Sequence, residues 1–120
     1  MKILIADDSR VMRQIVTRTL RQAGFDGHEL VEASDGREAF DKFMAEKPDL
    51  VVSDWNMPEM TGIELLRGLR SAGQAAPFGF VTSECTDEMK KSAEAAGAIF
   101  FIVKPFTPDA FRDALSSVLG

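Results

Sequence analysis

Short apolar runs alternate with stretches in which apolar residues return every three or four positions, and the alternation repeats five times along the chain. Leu50-Val51-Val52-Ser53 begins as an apolar, β-branched run, which suits a strand buried on both faces. Lys2-Ile3-Leu4-Ile5-Ala6, Phe78-Gly79-Phe80-Val81-Thr82 and Ile99-Phe100-Phe101-Ile102-Val103 read as further strands. The segment from His28 to Ala33 is partly polar, as expected of a strand at a sheet edge. Between these runs, Met12, Ile15, Val16, Thr19, Leu20 and Ala23 fall at helical spacing ahead of Gly24, a helix stop. Asp35 with Glu38 resembles a capping arrangement for a second helix that buries Ala39, Phe40, Phe43 and Met44. Thr61-Gly62-Ile63-Glu64 is a capping box for a third helix burying Ile63, Leu66 and Leu69. The fourth helix, from about Thr86 to Ala96, is the least hydrophobic and offers Met89, Ala93 and Ala96 to a core before Gly97 ends it. Thr107-Pro108 is a cap followed by a proline at the first helical position, and the last helix buries Phe111, Ala114, Leu115 and Val118. Five βα units predict one α/β domain over residues 1–120, a five-stranded parallel sheet with right-handed crossovers and helices on both faces.

Composition narrows the class of function. A chain of 120 residues with 45% hydrophobic and 28% charged residues can bury a single core without staples. The balance of 14 Lys and Arg against 19 Asp and Glu, a net charge of −5, gives no basic patch for nucleic acid. The lone Cys85 has no partner for an internal disulfide, and the first apolar run is too short for a signal peptide or a membrane span. A cytoplasmic monomer is expected. His28, the sole histidine, lies in the polar edge strand and is expected to be exposed; no second His or Cys makes a zinc set with it.

The chemistry gathers at the ends of the strands. In a parallel sheet all carboxyl ends share one edge, where ligands bind in open α/β folds. Asp7 and Asp8 follow the first strand, Asp54 follows the third, Thr82 ends the fourth and Lys104 follows the fifth. A lone carboxylate at a strand end commonly caps a loop, a lysine there is ordinarily solvated and a threonine ordinarily bonds backbone. Their coincidence on one edge marks a site. With the first and third strands adjacent, three carboxylates crowd one crevice, each pair repelling by about 4 kcal/mol at ~4 Å and an effective dielectric of ~20. Such a cluster calls for a cation, and hard oxygen donors favour Mg²⁺ or Ca²⁺ over a transition metal. Mg²⁺ retains waters and is often completed by a phosphate, which points to phosphoryl chemistry.

The pair Asp7-Asp8, the acid Asp54 with Pro58 four residues later, Thr82 and Lys104-Pro105 together resemble the signature of the response-regulator receiver domain across the whole chain. Asp54-Trp55-Asn56-Met57-Pro58 and Val103-Lys104-Pro105-Phe106-Thr107 are similar in particular to the chemotaxis response regulators. The resemblance implies the flavodoxin-like strand order 2-1-3-4-5, which the hydrophobic pattern does not itself supply. It implies that Asp54 accepts a phosphoryl group from a histidine kinase. It further implies that Asp8, Asp54 and the Asn56 backbone carbonyl ligate Mg²⁺, with Asp7 acting through water. Lys104 would contact the phosphoryl group, the Lys104-Pro105 bond would be cis, and Thr82 would move to meet a phosphoryl oxygen. Phe101 would turn inward into the vacated space; many relatives have Tyr there, so a switch at Phe101 works by packing alone. The alternative for Phe101 is a plain core residue.

Output would appear on the face made by the fourth helix, fifth strand and fifth helix, read by a flagellar motor switch protein or another protein target. The domain is expected to act alone and, beyond its own phosphorylation and dephosphorylation, not as an enzyme. A place within a longer regulator or hybrid kinase is the first alternative. A flavodoxin-like cofactor binder is disfavoured because Asp7-Asp8 would repel a phosphate where such proteins cradle one. A haloacid-dehalogenase-type phosphatase needs a second Asp where Asn56 stands.

Overall fold

Side-chain alternation along the strands decides how this chain closes on itself. The structure, a computed structural model, describes residues 1–25 and 27–119, with side chains in the last helix described through residue 116. The elements run β1 (Lys2–Ala6), α1 (Arg10–Gln22), β2 (Glu29–Ala33), α2 (Gly36–Glu46), β3 (Leu50–Ser53), α3 (Gly62–Ser71), β4 (Phe78–Thr82), α4 (Asp87–Ala95), β5 (Phe100–Val103) and α5 (Pro108–Leu119). The strands are all parallel in the order β2-β1-β3-β4-β5, as the resemblance implies. Successive residues point to opposite faces. Ile3, Ile5, Leu50, Val52, Val81 and Ile102 therefore meet Val16 and Leu20 of α1 and Phe111 and Leu115 of α5. Leu4, Ala6, Val51, Phe78 and Phe80 meet α2, α3 and Ala93 of α4 on the other side.

Every helix opens on a side-chain cap just behind the same sheet edge. The Oγ or Oδ of Ser9, Asp35, Thr61, Thr86 and Thr107 accepts from the backbone N–H of Met12, Glu38, Glu64, Met89 and Ala110 respectively. At α3 the box is reciprocal, and the Thr61 N–H bonded to Glu64 holds that carboxylate below its ordinary pKa. At α2 it is not: Glu38 reaches past the cap to the N–H of Ser34.

Several boundaries and burials differ from the pattern reading. β2 starts at Glu29 and β5 at Phe100, one residue later than the apolar runs suggest, and Ile99 is exposed. His28 is half-buried, not exposed, and its Nδ1 is enclosed without a hydrogen-bond partner among the described residues. Met44 is exposed because the inward stripe of α2 runs through Gly36, Ala39 and Phe43, leaving the next position turned away. α3 is covered over a wider arc, with Leu65 buried beside Ile63, Leu66 and Leu69, because it packs on both the sheet and α2. In α4 only Ala93 is buried, while Met89 and Ala96 are partly covered. Val118 falls outside the described side chains.

Two glycines seat the loop between β3 and α3. A Cβ on Gly36 would lie 1.9 Å from the Met60 carbonyl oxygen, and one on Gly62 would lie 2.1 Å from the Asp54 carbonyl oxygen and 2.8 Å from the Phe80 ring. The Gly62 N–H donates to Trp55 O at 2.7 Å and that of Gly36 to Pro58 O at 3.4 Å, so both helix starts grip the loop that carries Asp54. Gly62→Ala should therefore lower stability by about 1–3 kcal/mol through overpacking against backbone that has nowhere to go. Urea unfolding checks this; a variant as stable as the parent would show that the Asp54 loop yields freely.

Candidate functional site

Three of the expected site residues share one structural address: each is the first residue past its strand. Asp7 follows Ala6, Asp54 follows Ser53 and Lys104 follows Val103. The register pairs Ala6 with Ser53, which sets Asp7 and Asp54 side by side where the strand order reverses between β1 and β3. The Asp54 N–H donates to Ala6 O at 2.8 Å, extending the ladder by one rung and fixing the backbone beneath its carboxylate. Asp7, Asp8 and Asp54 each present an oxygen such that the three lie within 4.8 Å of one another.

Lys104 enters this cluster as a counter-charge. Its Nζ lies 3.0 Å from Asp7 Oδ2 and 3.5 Å from Asp54 Oδ2, with its side chain only 14% exposed. The cis Lys104-Pro105 peptide bond follows it, as the resemblance implies, and the Lys104 N–H donates to Thr82 O at 2.8 Å, binding this loop to the end of β4. One ammonium thus serves two of three carboxylates, and the cluster keeps an excess of negative charge. Asp54 Oδ1 accepts from the Trp55 N–H at 2.7 Å, which aims its other oxygen toward Lys104. Asp8 is exposed at the lip of the crevice, whereas Asp7 is buried in its wall.

Around this centre the remaining residues divide. Thr82 is wholly buried at the end of β4, its Oγ1 accepting from the Glu84 N–H at 3.4 Å. Asn56, two residues past Asp54, is exposed and donates its side-chain amide to Glu84 Oε1 at 3.3 Å. Phe101 is half-buried, with its ring centroid 6.0 Å from Phe80 and 6.2 Å from Trp55, and Trp55 in turn packs on Phe80 at 4.9 Å. A cleft of about 250 Å³ opens beside Phe101 between α4 and β5, lined also by Lys90, Ala93 and Glu94. Met57 is buried in the core and Cys85 is an exposed free thiol.

Sequence reasoning missed two participants. Glu84 spans to Asn56, and its position two residues past Thr82 was the available signal. Arg13 reaches the Asp7 backbone from α1, at a helix position that the apolar stripe leaves out.

The donor set is chemically suited to a hard divalent cation. Its three carboxylates are hard oxygen donors, the kind that Mg²⁺ and Ca²⁺ take. Asp8 and Asp54 could hold such an ion, while Asp7 is bonded to Lys104. Among the described residues no helix is long and apolar enough to cross a membrane.

Comparison with known proteins agrees with this geometry. Residues 3–116 match the family model of the response regulator receiver domain. The chain is 39% identical to the chemotaxis protein CheY1 of Helicobacter pylori, covering all of this chain and 98% of that one. It is 40% identical to a chemotaxis protein CheY homolog of Campylobacter jejuni, covering all of this chain and 93% of that one. Among solved structures, chemotaxis response regulator CheY4 of Vibrio cholerae superposes with a TM-score of 0.84 at 40% identity over 98% of both chains. With five parallel strands in the observed order and this match over nearly its whole length, the chain belongs to the response regulator receiver family.

Proposed function

We propose that this domain accepts a phosphoryl group on Asp54 from a histidine kinase, with Mg²⁺ bound by Asp8, Asp54 and the Asn56 carbonyl, and that it serves chemotaxis in the cytoplasm. The observation that carries the reading is the meeting of Asp7, Asp8 and Asp54 with Lys104 at one sheet edge. The chemotaxis assignment is supported by the names of the relatives, including the CheY proteins of Helicobacter and Campylobacter.

In this reading an Asp54 carboxylate oxygen attacks phosphorus, and the P–N bond of the donor histidine breaks as the P–O bond forms. Mg²⁺ supplies charge neutralisation to the phosphoryl oxygens. Lys104 turns from Asp7 toward an equatorial oxygen and holds it as a point charge. The Trp55 N–H keeps the carboxylate oriented during the attack. The domain promotes its own phosphorylation and hydrolysis and is not otherwise an enzyme.

The moving part in this reading is α4. It carries one buried side chain, Ala93, and low apolar burial marks low local stability. Its C-terminal turn is tethered by Arg70, whose guanidinium donates to Gln74 O at 3.0 Å and Gly97 O at 3.5 Å and whose pKa is lowered by burial. Withdrawal of Thr82 toward the phosphoryl group would open room beside Phe80, which Phe101 would fill by turning inward. The result is a population shift on the face of α4, β5 and α5, offered to a flagellar motor switch protein or another protein target.

Acetyl phosphate with Mg²⁺ should add one phosphoryl group by intact mass, and Asp54→Asn should remove it. Equal labelling of the variant would sink the assignment. Phe101→Ala should leave this labelling nearly intact while weakening capture of the target by the phosphorylated domain; loss of both together with a large drop in stability would make Phe101 a plain core residue. A melting series at pH 7 tests the cluster. Mg²⁺ at ten times its dissociation constant should add about 1.4 kcal/mol, or roughly 5 °C. Asp54→Asn should melt higher than the parent in EDTA and gain less from Mg²⁺, because one repelling charge and one ligand are gone. A lower melting point in EDTA would mean that the Lys104–Asp54 pairing outweighs the repulsion.

A further inference from the structure

Asp7 is buried, and each of its polar atoms is held by a different part of the fold. Its N–H donates to Ala33 O of β2 at 3.1 Å. Its Oδ1 accepts from the Ser9 N–H at 2.9 Å and its Oδ2 from Lys104 Nζ at 3.0 Å. Its carbonyl oxygen accepts from Arg13 Nη1 at 2.7 Å. Arg13 is in turn fixed by Glu32 of β2, whose Oε1 accepts from Nε at 2.9 Å, and the Arg13 side chain is only 13% exposed.

The carbonyl contact has a particular geometric meaning. The peptide group joining Asp7 to Asp8 is planar, so its oxygen and the Asp8 Cα lie in one plane. Holding the oxygen fixes the plane from which the exposed Asp8 hangs. Asp8 itself is exposed at the lip. A guanidinium suits this task because its fork carries two donors at a set angle, one for the carbonyl and one for Glu32.

We propose that Arg13, braced by Glu32, is a positioning residue for the cation site: it touches neither metal nor phosphoryl group and sets the direction of Asp8 through the Asp7-Asp8 peptide plane. The inference rests on the reading of the acidic cluster as a Mg²⁺ site. It gives Arg13 an effect opposite in sign to its charge. By charge alone, removing a cation beside three carboxylates would tighten the binding of any divalent ion. By geometry, it loosens the turn and weakens the ion that needs near-ideal octahedral ligands, Mg²⁺, more than Ca²⁺, which accepts irregular ones.

Calorimetric titration of the parent, Arg13→Met, Glu32→Ala and the double variant with Mg²⁺ and with Ca²⁺, below their melting temperatures, tests this. Residues that orient metal ligands typically contribute 10–100-fold to affinity, so Arg13→Met should weaken Mg²⁺ by about tenfold or more and Ca²⁺ by less. Glu32→Ala should weaken Mg²⁺ by a smaller factor, and the double variant should be no weaker than Arg13→Met, because the pair acts as one unit. Unchanged or tighter Mg²⁺ binding in a folded Arg13→Met protein overturns the proposal, as does an equal loss for both ions or full additivity with Glu32→Ala. Should Arg13→Met not fold, Glu32→Ala, altered at a half-exposed partner, decides alone, and unchanged Mg²⁺ affinity there overturns it. A parent that binds no Mg²⁺ defeats the cation-site reading itself, whereas a parent that binds beside an unaltered Arg13→Met defeats only the positioning role.

Discussion

Like charges held at one edge are the constraint to which the rest of the domain answers. Three carboxylates sit with oxygens within 4.8 Å, and among the described residues a single ammonium, on Lys104, pairs with two of them. The arrangement survives because its members hang from the stiffest part of the molecule. β1 and β3 are central strands, and Ile3, Leu4, Ile5, Leu50, Val51 and Val52 are almost wholly buried. The apolar core thus offsets a repulsion that an isolated loop would relieve by moving apart. In the proposed function, stability given up at the edge is what would make the site responsive to a cation or a phosphoryl group.

The same logic explains the unequal anchoring of the acids. Asp7 is bonded to β2, to α1, to the following loop and to Lys104, and it serves as much as a structural joint as a charge. Asp54 has its backbone in the ladder and one oxygen on the Trp55 N–H. Asp8 has the freest side chain of the three and the most exposed. Anchoring by hydrogen bonds falls from the wall of the crevice to its lip, and the least anchored carboxylate is the one nearest solvent.

Much of this was legible in the sequence, for physical reasons that differ by element. The strands were readable because burial on both faces demands continuous apolar runs, and the helix starts because orphan N–H groups demand Ser, Thr or Asp at fixed offsets. The site acids were readable because parallel strands bring their carboxyl ends to one edge. Strand order was not, since apolar runs carry no record of which neighbours they pair with; it came with the family resemblance. Met44 was misjudged because it sits at the margin of the α2 apolar stripe, and His28 because it lies in the loop just ahead of β2, where no strand alternation sets its exposure. Arg13 escaped notice because its contacts are to a backbone oxygen and to a residue 19 positions away, and neither leaves a local pattern.

The sheet also has two open sides, and they are unlike. β2 reads Glu-Leu-Val-Glu-Ala, with Glu29 and Glu32 exposed and drawn into ion pairs with Lys2 and Arg13. β5 reads Phe-Phe-Ile-Val, its Phe100 ring lying over Gly79 so closely that a Cβ there would stand 2.1 Å from it, and its Val103 exposed. Charged residues on an edge deter another strand from adding to it, whereas an apolar edge invites one. Strand addition between copies would therefore run through β5 and not β2. That is also the strip on which the proposed switch acts, so an apolar residue added there would favour pairing of copies as well as any target.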